Sequence, residues 1–332
     1  MEADLLSPGA SVLTWLSSSE EELPPSPDEE IRATRKIDNY EATRPDDLTK
    51  QILEAFKEHL PWQGKQALVH FIAGADDGKL MQLAYHLYTA ILLPVQAQSQ
   101  HAITSPFVDS QDCEGDVYQT MLESASRNDQ GRLKQLCLQR DNWRCMLTGT
   151  LDISQAKDLR TAAASTRLAH ILPFSIGKWN DNVSEHRISQ IWATLHRLFP
   201  DVTICPSDVN HSSNLMTLIV PFEIALGNFS LALQPTGQKK EYEILTFPGF
   251  ETAYNALLPR PNENGARIVK FRSHTELPLP SPAILRAHAS ITKILKSNEI
   301  FERIQKILQM PETTRHLSTD GATDLDFLFW KL

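Results

Sequence analysis

Cysteine is scarce in this chain: four residues in 332 (Cys113, Cys137, Cys145 and Cys205), with no CxxC pair among them. That argues against a disulfide framework and against a zinc ribbon. It points instead to a reducing compartment, the nucleus or the cytoplasm. Long apolar runs are missing too. The longest, from Ala84 to Val95, is interrupted by His86 and is too short to cross a bilayer, so no membrane partner is expected. The first residues show no basic stretch ahead of an apolar one, so no secretory leader is expected. Basic charge is also short, with 32 Lys and Arg against 41 Asp and Glu, a net of −9. A nucleic-acid binder usually leans the other way. His59, His70 and His86 form no i, i+4 pair, which removes the simplest helical metal motif. No internal repeat is visible.

The length suggests about two domains, and an apolar content of 41% is ordinary for a globular protein. The acidity is uneven. Residues 1–47 carry twelve acids and four bases, a net of −8, whereas residues 127–234 carry nine acids and eleven bases, a net of +2. Residues 1–44, rich in Ser, Pro and Glu towards their start, read as a disordered acidic tail. Residues 45–95 read as a helical N-terminal module. Its first helix has Leu48, Ile52, Leu53, Phe56 and Leu60 on one face, Asp46 or Asp47 as the N-cap, and Pro61 beyond its end. Two more helices are expected over Lys65–Ala73 and Lys79–Leu93, the second stopped by Pro94. Residues 96–126 read as a linker and a helix, followed by a helix over Gln130–Arg140. A compact core is expected over 127–235. The C-terminal hairpin and helices fall in 236–312, and 313–332 form a tail. The strands of the hairpin are FSLALQP and EYEILTF, with ARIVKF as a further strand. Helices follow over Pro282–Lys296 and Glu299–Gln309, with Ser281 as N-cap and Pro282 at the first helical position.

Three segments carry the chemistry. RDNWRCMLTG (Arg140 to Gly149) reads as a strand ending in a Thr-Gly turn. RLAHILPFS (Arg167 to Ser175) reads as a strand that delivers His170, with Pro173 preventing helix continuation. The third places Asn214 before an apolar stretch, then a short helix over Val220–Leu226 ended by Gly227. A histidine so placed can take a proton from water. Between the second and third segments, Ile188, Ile191, Trp192, Leu195 and Phe199 mark a helix expected to be an insertion over the site.

In order and spacing these segments resemble the HNH endonuclease superfamily, in the branch common in filamentous fungi. The matching residues are Arg140 with Arg144-Cys145-Met146-Leu147-Thr148-Gly149, then Ala169-His170-Ile171-Leu172-Pro173-Phe174-Ser175, then Asn214-Leu215-Met216-Thr217-Leu218. Glu276 to Leu295 resembles the tail helix of that branch, so the likeness covers about residues 127–310. The resemblance implies an α+β chain built on a ββα-metal (HNH-like) core, with a helical N-terminal module and C-terminal helices. It implies a metal-dependent endonuclease, a hydrolase that cuts phosphodiester bonds in DNA or RNA. His170 is then the general base and Asn214 the residue that orients it. Glu223 and Asn214 are the metal positions, and a carboxylate there favours Mg²⁺. Arg140, Arg144, Arg167 and Arg187 are the phosphate contacts.

The chain departs from the wider superfamily twice. Ala169 stands where an aspartate ligand is frequent, and Glu223 stands where a histidine or asparagine is usual. Two other readings therefore stay open. One is a degenerate HNH fold that serves as a binding or interaction module without nuclease activity. The other is an unrelated enzyme that reuses His170 as acid or base without metal.

Overall fold

The computed structural model describes residues 10–17, 24–42, 47–95, 131–158, 160–173, 182–297 and 300, with the side chains of 182–187 outside that set. The chain is mixed helix and sheet. In order, the helices are α1 (Ala10–Ser17), α2 (Pro27–Asp38), α3 (Thr49–His59), α4 (Trp62–Gly74), α5 (Asp77–Leu87), α6 (131–140), α7 (Asn182–Leu198), α8 (Val220–Gly227) and α9 (Pro282–Lys296). The strands are β1 (Leu151–Asp152), β2 (Ala163–Ala164), β3 (Thr166–His170), β4 (Leu215–Ile219), β5 (Leu231–Pro235), β6 (Glu241–Thr246) and β7 (Ile268–Lys270). No helix among the described residues is long and apolar enough to cross a membrane.

The chain divides into two compact units. One takes the described residues up to 95, then 172–209 and those from 286; the other takes 131–171 and 210–285. This division corrects the sequence-based boundaries in two places. Residues 172–209, expected to lie over the site, belong to the helical unit, where the buried face of Ile188, Ile191, Trp192, Leu195 and Phe199 joins α1 and α4. A border at 235 and 236 would cut a hairpin, because β5 pairs antiparallel with β6 from Leu231↔Thr246 to Pro235↔Tyr242.

The helical unit begins inside the segment expected to be a structureless tail, and that expectation is overturned wherever 1–44 is described. Helix α2 starts with a capping box. Ser26 Oγ accepts from the Glu29 amide at 3.3 Å, and the Ser26 amide donates to Glu29 Oε2 at 2.8 Å. Pro27 occupies the first turn, Asp28, Glu29 and Glu30 face the helix's positive end, and Arg35 and Lys36 its negative end. Part of the tail's acidity is therefore helix-capping charge. The few apolar residues of the segment are spaced for one face each, and Val12, Trp15, Ala33 and Ile37 are buried. Trp15 Nε1 also donates to the Ala67 carbonyl at 3.1 Å.

Helices α3, α4 and α5 form where the apolar spacing places them. The cap of α3 is Leu48, with Asp47 accepting from the Thr49 amide at 2.9 Å. Pro94 does not stop the last helix: a π turn over Tyr88–Leu92 precedes it and the helix runs to residue 95. A widened turn is where a helix takes in a residue lacking an N–H. Gly64 lets α4 pack tightly on the end of α7, because a Cβ there would collide with the Leu198 carbonyl oxygen.

The second unit holds α6, all seven strands and α8. Strand β3 pairs antiparallel with β4, and α8 follows β4 directly and packs on both. The β5–β6 hairpin and its third strand β7 form as expected from the sequence. The first motif differs. Asn142 and Trp143 both have left-handed backbone (φ 53° and 56°), which ends α6 and turns the chain. Cys145 to Thr150 then closes as a tight loop, with the Cys145 amide on the Thr150 carbonyl and Gly149 at φ 71°. RCMLTG is thus a loop rather than a strand, touching β4 through the Met146 amide on the Thr217 carbonyl at 2.9 Å. The helices expected over Val117–Ser126 and Glu299–Gln309 lie outside the described residues, apart from residue 300.

Candidate functional site

His170 is the last residue of β3, opposite Leu215 at the start of β4. Just beyond it the Ile171 amide donates to the Asn214 backbone carbonyl at 2.9 Å, which ties the two strand ends together. Asn214 closes a 3-10 turn over Ser212–Asn214 whose cap is His211, and the Asn214 amide donates to the His211 carbonyl at 2.8 Å. The Asn214 residue is fully buried, at 0% exposure. The His170 ring meets a different asparagine: its Nε2 lies 2.9 Å from Asn210 Oδ1. Burial, partly offset by that hydrogen bond, lowers the His170 pKa below its ordinary value, so the ring is neutral and able to accept a proton near pH 7.

The loop that carries Asn210 and Asn214 is pinned by Arg140. This arginine is 0% exposed and makes a bidentate pair with Asp141, Nε to Oδ1 at 2.7 Å and Nη2 to Oδ2 at 2.9 Å. Its remaining donors reach the carbonyls of Ser212 and Leu215, both at 2.9 Å, and of Pro278 at 3.0 Å. Arg140 is therefore a structural clamp and not the phosphate contact expected from the sequence. A guanidinium offers five N–H groups in a fixed fork, which lets one side chain hold Asp141, the stretch from Ser212 to Leu215 and Pro278 together. The Ser213 carbonyl is held as well, by the Ser281 amide at 2.8 Å.

Glu223 stands in the first turn of α8 and does not join this cluster. Its carboxylate lies 3.4 Å from Arg167 Nη1, with side-chain exposures of 17% for Glu223 and 43% for Arg167. Burial raises the Glu223 pKa, against the pull of the Arg167 charge. Side chains alternate along a strand, so Arg167 and Ala169 leave one face of β3, and Leu168 and His170 leave the other. The helix carboxylate thus meets a residue rooted on the face opposite His170.

The residues expected to hold a cation fit it poorly in this arrangement. Asn214 is wholly buried, Glu223 is neutralised by a guanidinium, and no three His, Cys, Asp or Glu residues among those described could hold a metal ion together. Of the expected phosphate contacts, Arg144 is exposed, with Nη1 on the Gly149 carbonyl at 2.8 Å, and Arg167 is accessible as well. The side chain of Arg187 lies outside the described residues. His211 is an exposed loop residue, its Nδ1 2.7 Å from Ser213 Oγ. Asn210 was missed from the sequence. The only signal available was its position immediately before His211 in VNHSSN, a polar loop segment ahead of an apolar strand. No protein-family model, curated protein or solved structure matches the chain.

Proposed function

We propose that residues 131–171 and 210–285 form an HNH-type ββα unit in which His170 acts as general base in the hydrolysis of phosphodiester bonds. The observation that carries this reading is the placement of His170. It ends the first strand of an antiparallel pair, its Nε2 faces Asn210 Oδ1, and the helix that follows the second strand packs on the pair. A neutral imidazole in that position removes a proton from an attacking water. Arg144 and Arg167 are the accessible cations that would meet the phosphate. No step is assigned to a bound cation, because the donor set above is not arranged for one.

A second reading draws on the Arg167–Glu223 pair: the same fold binds without cutting. A guanidinium at the helix carboxylate supplies fixed positive charge where the resemblance implies a divalent ion.

One assay separates the two. Plasmid DNA and single-stranded RNA are incubated with the full chain in Mg²⁺, Mn²⁺ or Zn²⁺, beside His170→Ala, and binding is measured at two ionic strengths. The hydrolase reading expects cleavage that His170→Ala lowers by about 10²–10⁴-fold. Binding that weakens with salt, without cleavage in any metal, selects the second reading. Absence of binding at low salt discards both.

A further inference from the structure

We propose that Asn210 is the positioning residue for His170: its side-chain carbonyl fixes the imidazole as the Nε2–H tautomer and leaves Nδ1 as the basic nitrogen. The inference rests on reading His170 as a base, and it adds a residue that the motif resemblance does not contain.

The geometry is specific. Asn210 Oδ1 lies 2.9 Å from His170 Nε2, within ordinary hydrogen-bond range. An amide oxygen only accepts, so a neutral ring facing it must carry its proton on Nε2. The two residues are forty apart in the chain, and the contact is not a local turn. The loop downstream of Asn210 is anchored at consecutive residues: the Ser212 carbonyl by Arg140, the Ser213 carbonyl by Ser281, and the Asn214 carbonyl by the Ile171 amide. The last of these bonds comes from the residue next to His170. Asn210 and His170 are therefore held to one frame, and the ring cannot turn without losing its acceptor. A buried clamp supports an exposed asparagine, which in turn holds the ring. This is the arrangement expected of a residue that orients a base, because tautomer and ring angle are set by what the second nitrogen meets.

The test uses ¹⁵N-labelled full-length protein and long-range ¹H–¹⁵N correlation of the histidine rings, at a pH where the His170 ring is neutral. His170→Gln identifies the signal. The wild type is expected to show one Nε2–H form. Asn210→Ala is expected to show a mixture of tautomers, and Asn210→Asp, which keeps an accepting oxygen, restores the single form. In the cleavage assay Asn210→Ala lowers kcat roughly 10-fold or more with KM unchanged, a part of what a positioned base contributes. An Nδ1–H form in the wild type overturns the proposal, since the amide would then be turned with its nitrogen towards the ring. So does a tautomer that Asn210→Ala leaves unchanged. A wild type that cuts nothing ends the hydrolase reading, and the tautomer measurement still decides whether Asn210 sets the ring.

Discussion

In the helical unit, the buried residues with polar side chains are Thr49, Gln66, His86, Thr194, His288, Ser290 and Thr292. In the strand-containing unit they are Arg140, Asp141, Asp152, Thr166, Ser212, Asn214, Thr217 and Ser230. Among the described residues, every buried Arg and Asp falls in the second group. His86 of the first group shows how the helical unit handles a titratable group: its Nε2 lies 2.7 Å from Thr194 Oγ1, and burial pushes its pKa down to about 4, so it stays neutral. The second unit keeps its charges and pairs them. Burial alone would raise the Asp152 pKa, but hydrogen bonds from Ser154 and Thr166 outweigh it and bring the pKa below the usual carboxylate value. The difference follows from element type. Helices satisfy their own backbone and need only an apolar face to pack. Short strands and loops leave carbonyls and amides over, and side chains must answer them. One unit is held mainly by shape, the other by a network.

The largest break in that contrast is expected from Arg140→Met. It leaves Asp141 buried without its cation and takes a donor from the carbonyls of Ser212, Leu215 and Pro278, of which Ser212 keeps the Leu215 amide. Removing one partner of a buried pair costs about 3–5 kcal/mol. Amide exchange should show the loss in residues 131–171 and 210–285, with the slow amides of α3, α4 and α5 retained. Equal loss in both groups would mean that the network is not confined to one unit.

Gly64→Ala tests the unit held by shape. The added methyl has no room beside the Leu198 carbonyl, so α4 and α7 must move apart. Overpacking of this kind costs about 1–3 kcal/mol. Denaturant unfolding should show a lower midpoint, with the exchange change confined to the helical residues. An unchanged midpoint would show that this crossing is loose.

The smallest effect is expected at the cap of α2. Ser26→Ala removes one half of the capping box and should cost about 1 kcal/mol. The readout is the melting temperature. A variant as stable as the wild type would return the first forty residues to the status of a dispensable tail.

The sequence was most legible where a periodic apolar face meets a punctuating residue. Helices α3, α4 and α8, the β5–β6 hairpin and the start of α9 at Pro282 were all visible in this way. So was the place of His170, because an apolar strand before Pro173 has few other conformations. The first motif misled because RCMLTG has strand-like composition, whereas its path is fixed upstream by left-handed Asn142 and Trp143. No propensity marks a tryptophan for positive φ. The acidic segment misled for the opposite reason. Its composition suits disorder, yet a single box of Ser26 and Glu29 and a few spaced apolar residues suffice for a helix. At the site, His170 and Asn214 proved to be close through backbone, but the partners of His170 and Glu223 were Asn210 and Arg167. Such pairings are tertiary and leave no trace in spacing.

The excursion over 172–209 also sets an order of events. Strand β3 is made before that segment, and its partner β4 only after it, so at synthesis β3 must wait for its ladder. A strand without a partner is an edge that other chains can join. The wait ends sooner if the intervening residues condense early into helix α7 with their own unit, because a folded excursion shortens the loop that remains to be closed. The hydrogen bond between His170 and Asn210, at the two ends of the excursion, would then form late. On that order the pairing of β3 with β4 and the contact of His170 with Asn210 both follow the folding of the segment between them.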